Sequence, residues 1–151
     1  MDQKVKISSG EIQLNVQVDN WKEAIQAAAA PLIDENKISE DYVTSMIASL
    51  KKFGPYIVIA PGLALGHAKP SSAVKKTSFS IATLRKPVKF GNKDNDPVDV
   101  VIILASINNK DHLELLQKLV QFLNNQNNLK KLRTANSGLE ANKIAQSING
   151  E

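Results

Sequence analysis

The chain has 151 residues, of which 42% are hydrophobic and 23% charged, and its formal net charge is +4. This composition is typical of a globular protein, and the longest apolar runs fall far short of the roughly 18 residues that span a bilayer. The modest charge and the 5% aromatic content argue against nucleic-acid binding. The absence of cysteine and of a cleavable apolar N-terminal segment predicts a cytoplasmic protein, and the length predicts a single domain over residues 1–151.

The first third of the chain predicts one strand and two helices. Apolar and polar residues alternate over positions 12–18, which is typical of a strand with one buried face. Asn20 is a good N-cap for a helix in which apolar residues recur at helical spacing. A second helix is predicted to begin after Ser39, to bury Tyr42 on its inner stripe and to end at Gly54.

Three further strands are predicted in the middle of the chain, at residues 56–60, 77–84 and 99–105. The first is expected to be buried on both faces and to run directly into a loop at residues 61–70 with two prolines and two glycines. The rest of the chain predicts a helix with Asp111 as its cap, then shorter helices. This order of elements predicts a three-layer α/β/α sandwich around a mixed sheet.

The chain has only two histidines, His67 and His112, and both follow predicted strands. In open α/β sheets reactive groups gather beyond the carboxyl ends of the strands, so the two rings are expected to meet if those strands are neighbours. Gly66, just before His67, is a residue that allows close backbone approach or a positive φ, and such loops expose N–H groups that can bind an anion. A structural histidine is the competing interpretation, and His112 beside Asp111 fits it well.

Other chemistries find less support in the sequence. Two histidines are too few ligands for a zinc site, and no His-Glu-x-x-His pattern is present. No Gly-x-Ser-x-Gly segment accompanies the serines, which argues against a serine hydrolase. The segment between Gly62 and Gly66 lacks the Gly-Lys-[Ser/Thr] ending of a phosphate-binding loop. Lys69 is close enough in sequence to His67 to help attract an anionic group such as a phosphoryl group.

Three motifs resemble the mannitol/fructose-type (type 2) enzyme IIA domains of the sugar phosphotransferase system (PTS), most closely the ascorbate-specific members. They are GPYIVIAPGLALGHAKP at residues 54–70, FGNKDNDPV at residues 90–98 and NKDHLELLQKL at residues 109–119. The resemblance covers most of the chain from about Tyr42 onward, and its motifs follow the family's order. It implies the α/β fold of that family and a phosphotransferase activity.

The resemblance also implies roles for individual residues. His67 corresponds to the phosphorylated histidine and His112 to a second histidine that stabilises the phosphoryl group, while Lys51 or Lys52 corresponds to an assisting basic residue. The implied donor is the phosphocarrier HPr, and the implied acceptor is a cysteine of the cognate enzyme IIB (EIIB), which serves a membrane component, EIIC. No metal or cofactor is implied, and the sugar expected from the subgroup is L-ascorbate.

The chain departs from the family pattern at Gly66, where the family usually has proline. This departure keeps the nucleophile and predicts a less constrained backbone before it. A regulatory domain that does not relay phosphate to sugar is the alternative function. The oligomeric state is open, with a homo-oligomer among the alternatives.

Overall fold

A five-stranded mixed sheet lies between two layers of helices in the computed structural model, which describes residues 5–150. Residues 1–4, part of the N-terminal segment used above to argue against a cleavable signal, lie outside the described residues. The strands are β1 (Ile12–Val16), β2 (Val58–Ala60), β3 (Leu63–Gly66), β4 (Ser78–Val88) and β5 (Val98–Ala105). The helices are α1 (Trp21–Asp34), α2 (Glu40–Phe53), α3 (Asn109–Leu123), α4 (Gln126–Thr134) and α5 (Gly138–Asn149). None of the helices within residues 5–150 is long and apolar enough to cross a membrane.

The strand order in the sheet is β1-β4-β5-β3-β2. The pairs β1–β4 and β3–β5 are parallel, whereas β4–β5 and β2–β3 are antiparallel. Because β3 and β5 are parallel neighbours, their carboxyl ends lie at the same edge of the sheet. This edge therefore receives the segments that follow both strands.

Two hydrophobic cores cover the two faces of the sheet, because side chains alternate along each strand. In β5, Val101 and Ile103 pack against α1 and α2, whereas Val100, Ile102 and Leu104 pack against α3, α4 and α5. All five of these side chains are fully buried. The three-layer α/β/α sandwich predicted from the sequence is confirmed.

Two strands differ from the prediction: β2 differs in its position in the sheet, and β3 was not predicted. The run at residues 56–60 is not buried on both faces, contrary to the prediction from the sequence: β2 is an edge strand of the sheet, and Ile59 is 50% exposed. Strand β5 lies between β4 and β3, and β3 is formed by a segment that the sequence predicted as loop. Pro61 and Gly62 form the tight turn of a β2–β3 hairpin, where Gly62 has φ +74°. Their presence suggested a long loop, although only the turn needs them.

Smaller differences concern element ends. Strand β1 ends at Val16 instead of residue 18, after Asn15 takes a positive φ of 56°. Strand β4 continues to Val88, beyond the predicted end at residue 84. Asp111 does not cap α3. Asn108 is its N-cap, and the Asn108 side chain accepts a hydrogen bond from the Asp111 N–H at 2.8 Å. Asn and Asp both cap well, so the choice depended on where the loop ends.

Candidate active site

The two histidines meet at the carboxyl ends of β3 and β5. His67 is the first residue after β3, and His112 lies in the first turns of α3, which follows β5 after three residues. The centroids of their rings are 5.8 Å apart, and the ring planes are inclined by 47°. The predicted meeting of the rings is therefore confirmed, although β3 rather than the 56–60 segment leads to His67.

The ring of His67 is oriented by a hydrogen bond to the backbone. Its Nδ1 lies 3.0 Å from the carbonyl oxygen of Leu65. A carbonyl oxygen can only accept, so Nδ1 carries the proton of the neutral ring and Nε2 keeps a free lone pair. The Tyr56 ring also lies beside the His67 ring in a T-shaped arrangement, with the two centroids 6.0 Å apart. The free Nε2 is thus the nucleophilic atom that the geometry of His67 offers.

The start of α3, which carries His112, is anchored from two sides. The Asn108 side chain caps the helix, and the hydroxyl of Thr77 accepts a hydrogen bond from the Ile107 N–H at 3.0 Å. The same hydroxyl donates to the carboxylate of Asp111 at 2.8 Å. Asp111 is therefore bonded to Thr77, the residue just before β4. The segment that leads into β4 thereby holds the N-terminus of α3 in place.

His112 favours its neutral form. Burial, and secondarily the neighbouring His67, lower the pKa of His112 below its ordinary value of 6.5. A neutral imidazole can donate one hydrogen bond from whichever nitrogen carries the proton. His112 also lies close to the N-terminus of α3, where the helix dipole favours negative charge. These features suit a group that contacts an anion bound at His67.

Both rings line an open cleft of about 680 Å³. One wall is a face of α2 that presents Ser45, Ser49 and Phe53. The exposed side chain of Lys69 lies on the rim, and none of the described lining residues is a carboxylate. The electrostatics of this cleft therefore favour a negatively charged ligand.

Sequence reasoning missed the contribution of α2 to the cleft. Ser45 and Ser49 lie three and seven residues after Tyr42, so helical spacing alone places them on one face of the helix. Only the tertiary arrangement shows that this face borders His67. Conversely, Lys51 and Lys52 are not among the residues that line the cleft, whereas Lys69 is.

The Gly66 backbone is held in the sheet. Gly66 is the last residue of β3, it pairs with Ile103 of β5, and its φ is not positive. A Cβ placed on Gly66 would lie 2.8 Å from the sulfur of Met46 and 2.9 Å from Cδ1 of Ile103. Close approach, rather than a positive φ, is thus the reason for glycine here.

A metal site is not formed by the described part of the chain. Within residues 5–150 no cluster of three or more histidine, aspartate, glutamate or cysteine side chains is arranged to hold an ion. What the cleft contains is one oriented imidazole, a second imidazole beside it, hydroxyl groups and a lysine. This set of groups is suited to nucleophilic transfer of an anionic group.

Comparison with known proteins agrees with this chemistry. Residues 6–147 match the family described as "Phosphoenolpyruvate-dependent sugar phosphotransferase system, EIIA 2". The chain is 35% identical over 133 residues to the ascorbate-specific PTS EIIA component of Salmonella choleraesuis (strain SC-B67), covering 87% of this chain and 86% of that protein. The chain thus belongs to the type 2 EIIA family, whose members are phosphotransferases.

Solved structures share the fold. The solution structure of the mannitol-specific cryptic phosphotransferase enzyme IIA CmtB of Escherichia coli superposes with a TM-score of 0.83 at 32% identity, over 91% of this chain and 93% of that one. The enzyme IIA of the E. coli mannitol system, solved in complex with its phosphorylated enzyme IIB, has a TM-score of 0.82. At 22% identity, over 98% of this chain and 100% of that chain, the second likeness concerns the fold alone.

Proposed function

We propose that this protein, as a single domain over residues 1–151, accepts a phosphoryl group on His67 from phospho-HPr and passes it to a cysteine of a cognate EIIB. The observation that carries the proposal is the orientation of His67, whose Nδ1–H donates to the Leu65 carbonyl and leaves Nε2 free in an open cleft. His112, with its ring centroid 5.8 Å away, stabilises the phosphoryl oxygens.

The transfer needs little covalent chemistry from the protein. In the first step the bond between phosphorus and the donor imidazole of HPr breaks while a bond to Nε2 of His67 forms in line with it. In the second step that bond breaks and the cysteine thiolate of EIIB takes the phosphoryl group. His112 and the N-terminus of α3 balance the negative charge on the oxygens during both steps. No metal or cofactor takes part in this scheme.

Exposed apolar side chains near the histidines support the inference that other proteins bind at this site. Phe53 and Tyr56 line the cleft with exposures of 69% and 45%. Ile107, in the loop before α3, and Leu113, directly after His112, are 49% and 55% exposed. Exposed apolar residues gathered around a site are typical of protein–protein contacts. The partners inferred are HPr and EIIB, with a membrane EIIC downstream of EIIB, and the proposed location is the cytoplasm.

The proposed sugar is L-ascorbate. The support is the 35% identity to ascorbate-specific EIIA components, which extends over most of both chains. The EIIB that accepts the phosphoryl group most rapidly is expected to be the one encoded with an ascorbate transporter. Transfer to ascorbate-type EIIB compared with mannitol-type EIIB tests this inference.

Labelling with ³²P-phosphoenolpyruvate, enzyme I and HPr tests the division of roles between the two histidines. We expect His67→Ala to abolish labelling because the nucleophile is gone. His112→Ala is expected to retain labelling but to slow transfer to EIIB, because charge on the phosphoryl oxygens is less well balanced. Undiminished label in His67→Ala would contradict the assignment. Wild-type protein that takes up label but does not pass it to any EIIB would instead favour the regulatory alternative.

A further inference from the structure

The hydroxyl group of Tyr42 joins the segment after His67 to the end of β5. Its oxygen accepts a hydrogen bond from the N–H of Ala68 at 3.0 Å and donates to the carbonyl of Leu104 at 2.6 Å. The Ala68 carbonyl lies farther away, at 3.4 Å, so the single hydroxyl proton is directed to Leu104. The Tyr42 side chain is 1% exposed, and both of its partners are backbone groups of the active-site edge.

The two sides of His67 are therefore held by β5 through different contacts. On the N-terminal side, Leu65 pairs with Ile102 of β5, and the Leu65 carbonyl orients the His67 ring. On the C-terminal side no strand pairing continues, and Ala68 is held to Leu104 through the Tyr42 hydroxyl. Strand β5 also leads into α3, which carries His112. The position of one histidine relative to the other thus depends on this hydroxyl group.

From this geometry we infer that Tyr42 is a positioning residue that sets the placement of His67 relative to His112 through its bridge between Ala68 and Leu104. The inference rests on the proposed phosphoryl transfer at His67. Tyr42 is neither the nucleophile nor a proton acceptor for it, because the Tyr42 oxygen is hydrogen-bonded to two backbone groups. It acts by fixing the backbone that aims the imidazole.

The protonation state of Tyr42 fits this role. Burial raises the pKa of Tyr42 to about 12, which outweighs the hydrogen bond with the Ala68 backbone. The hydroxyl therefore remains a donor to Leu104 throughout the physiological pH range. The bridge also occupies the Ala68 N–H, so this amide is not one of the loop N–H groups available to an anion.

The variant Tyr42→Phe tests the inference because it keeps the buried ring and removes only the hydroxyl. A control with a matched loss is Ser80→Ala: the Ser80 hydroxyl is also fully buried and donates to a backbone carbonyl, that of Ala28, at 2.6 Å. Ser80 lies on β4 against α1, outside the cleft lining. Both variants lose one buried hydroxyl bonded to the backbone.

We expect Tyr42→Phe to lower the maximal rate of phosphoryl transfer from phospho-HPr on the order of tenfold, with the KM for phospho-HPr unchanged. Ser80→Ala is expected to transfer at the wild-type rate. In ¹H–¹⁵N NMR spectra of unphosphorylated protein, Tyr42→Phe should shift the Ala68 amide and the His67 ring nitrogens, and Ser80→Ala should leave both in place.

The inference is overturned if Tyr42→Phe transfers at the wild-type rate, if only KM rises, or if Ser80→Ala slows transfer equally. An unshifted His67 ring in Tyr42→Phe overturns it as well. A wild-type protein that accepts no label would be a failure of the proposed function, and the NMR comparison would still report whether Tyr42 places the His67 ring.

Discussion

At the scale of single residues, the site is defined by the unequal environments of its two imidazoles. His67 has one ring nitrogen committed to the Leu65 carbonyl. His112 has no such bond among those described, and burial together with His67 lowers its pKa. Two identical side chains thus have different surroundings, and these suit the tasks proposed for them, nucleophile for His67 and charge stabiliser for His112.

The pKa of His112 should report the charge on its neighbour. In free wild-type protein we expect His112 to titrate below 6.5, its ordinary value. His67→Gln should raise the pKa of His112 only part of the way, because burial, the larger cause, remains. Phosphorylation of His67 should raise it further, because an anionic phosphoryl group favours the imidazolium. Long-range ¹H–¹⁵N NMR titration measures each value, and a His112 that titrates above 6.5 in the unphosphorylated protein would contradict this account.

At the scale of elements, the packing of α2 against the end of β3 determines which residue can precede His67. Met46 is fully buried, and its sulfur occupies the space beside the Gly66 α-carbon. Ile103 of β5 closes the other side. A glycine at this position is therefore matched to its neighbours and, as a strand residue, is fixed by the sheet. The less constrained backbone predicted from the sequence does not follow, because the pairing with β5 restrains it.

We expect Gly66→Ala to destabilise the protein by about 1 to 3 kcal/mol, because the added Cβ would overlap Met46 and Ile103. Gly66→Pro, which restores the usual family residue, should be destabilising here for the same reason. Urea denaturation monitored by circular dichroism measures the free energy of unfolding.

Two controls identify the cause of the Gly66→Ala effect. Gly138→Ala, where the added Cβ has no atom within 4 Å apart from its chain neighbours and the adjacent helix backbone, should leave stability unchanged or raise it by up to about 1 kcal/mol. In a Met46→Ala background the cost of Gly66→Ala should shrink, because the sulfur is gone. Equal costs with and without Met46 would show that crowding by Met46 is not the cause.

At the scale of the whole molecule, contacts between distant segments hold the layers together around the sheet. Glu11 precedes β1 and is 2% exposed, and it accepts a hydrogen bond from Lys37 at 2.6 Å in the segment between α1 and α2. Asn149, at the end of α5, exchanges two hydrogen bonds with the backbone of Ile7. Both ends of the described chain are thus tied to the sandwich.

The Lys37–Glu11 ion pair predicts a pH-dependent stability. Burial disfavours the charged form of Lys37, but the hydrogen bond and charge of Glu11, with Glu35, outweigh it and raise the pKa of Lys37 above 10.5. We expect Lys37→Met to cost about 1 to 3 kcal/mol at pH 7, because the buried Glu11 carboxylate loses its charged partner but keeps its hydrogen bonds from Ser8. Urea denaturation at several pH values measures this difference from wild type.

The sign of the pH dependence follows from the raised pKa. Because the folded protein holds the Lys37 proton more tightly, the contribution is fully present below pH 10.5 and is lost as the pH rises through the folded value. The difference in the free energy of unfolding between wild type and Lys37→Met should therefore become smaller above pH 10.5. Lys110→Met, which breaks an exposed pair with Glu114 at 3.9 Å, should change stability by less than about 0.5 kcal/mol. A difference in the free energy of unfolding between wild type and Lys37→Met that grew with rising pH would contradict the stabilising role of the ion pair.

Much of the secondary structure could be predicted from the sequence alone, because hydrophobic periodicity, helix caps and turn residues act over a few neighbouring positions. These local signals predicted the element types, the α/β sandwich and the two histidines at the ends of strands. They failed at β3, where four residues after a Pro-Gly turn are too short a pattern to identify as a strand.

The tertiary structure alone decided how the site is assembled. The 5.8 Å spacing of the rings depends on the parallel pairing of β3 with β5, and the role proposed for Tyr42 depends on a hydrogen bond to Leu104, 62 residues away. The fit of Gly66 depends on Met46 of α2, whose sulfur would lie 2.8 Å from a Cβ on Gly66. Strand pairing and side-chain contacts bring together residues that are far apart in the chain, and local propensity carries no information about such contacts. The sequence pattern therefore identified the two histidines as candidates, whereas only the tertiary structure shows how their rings are oriented.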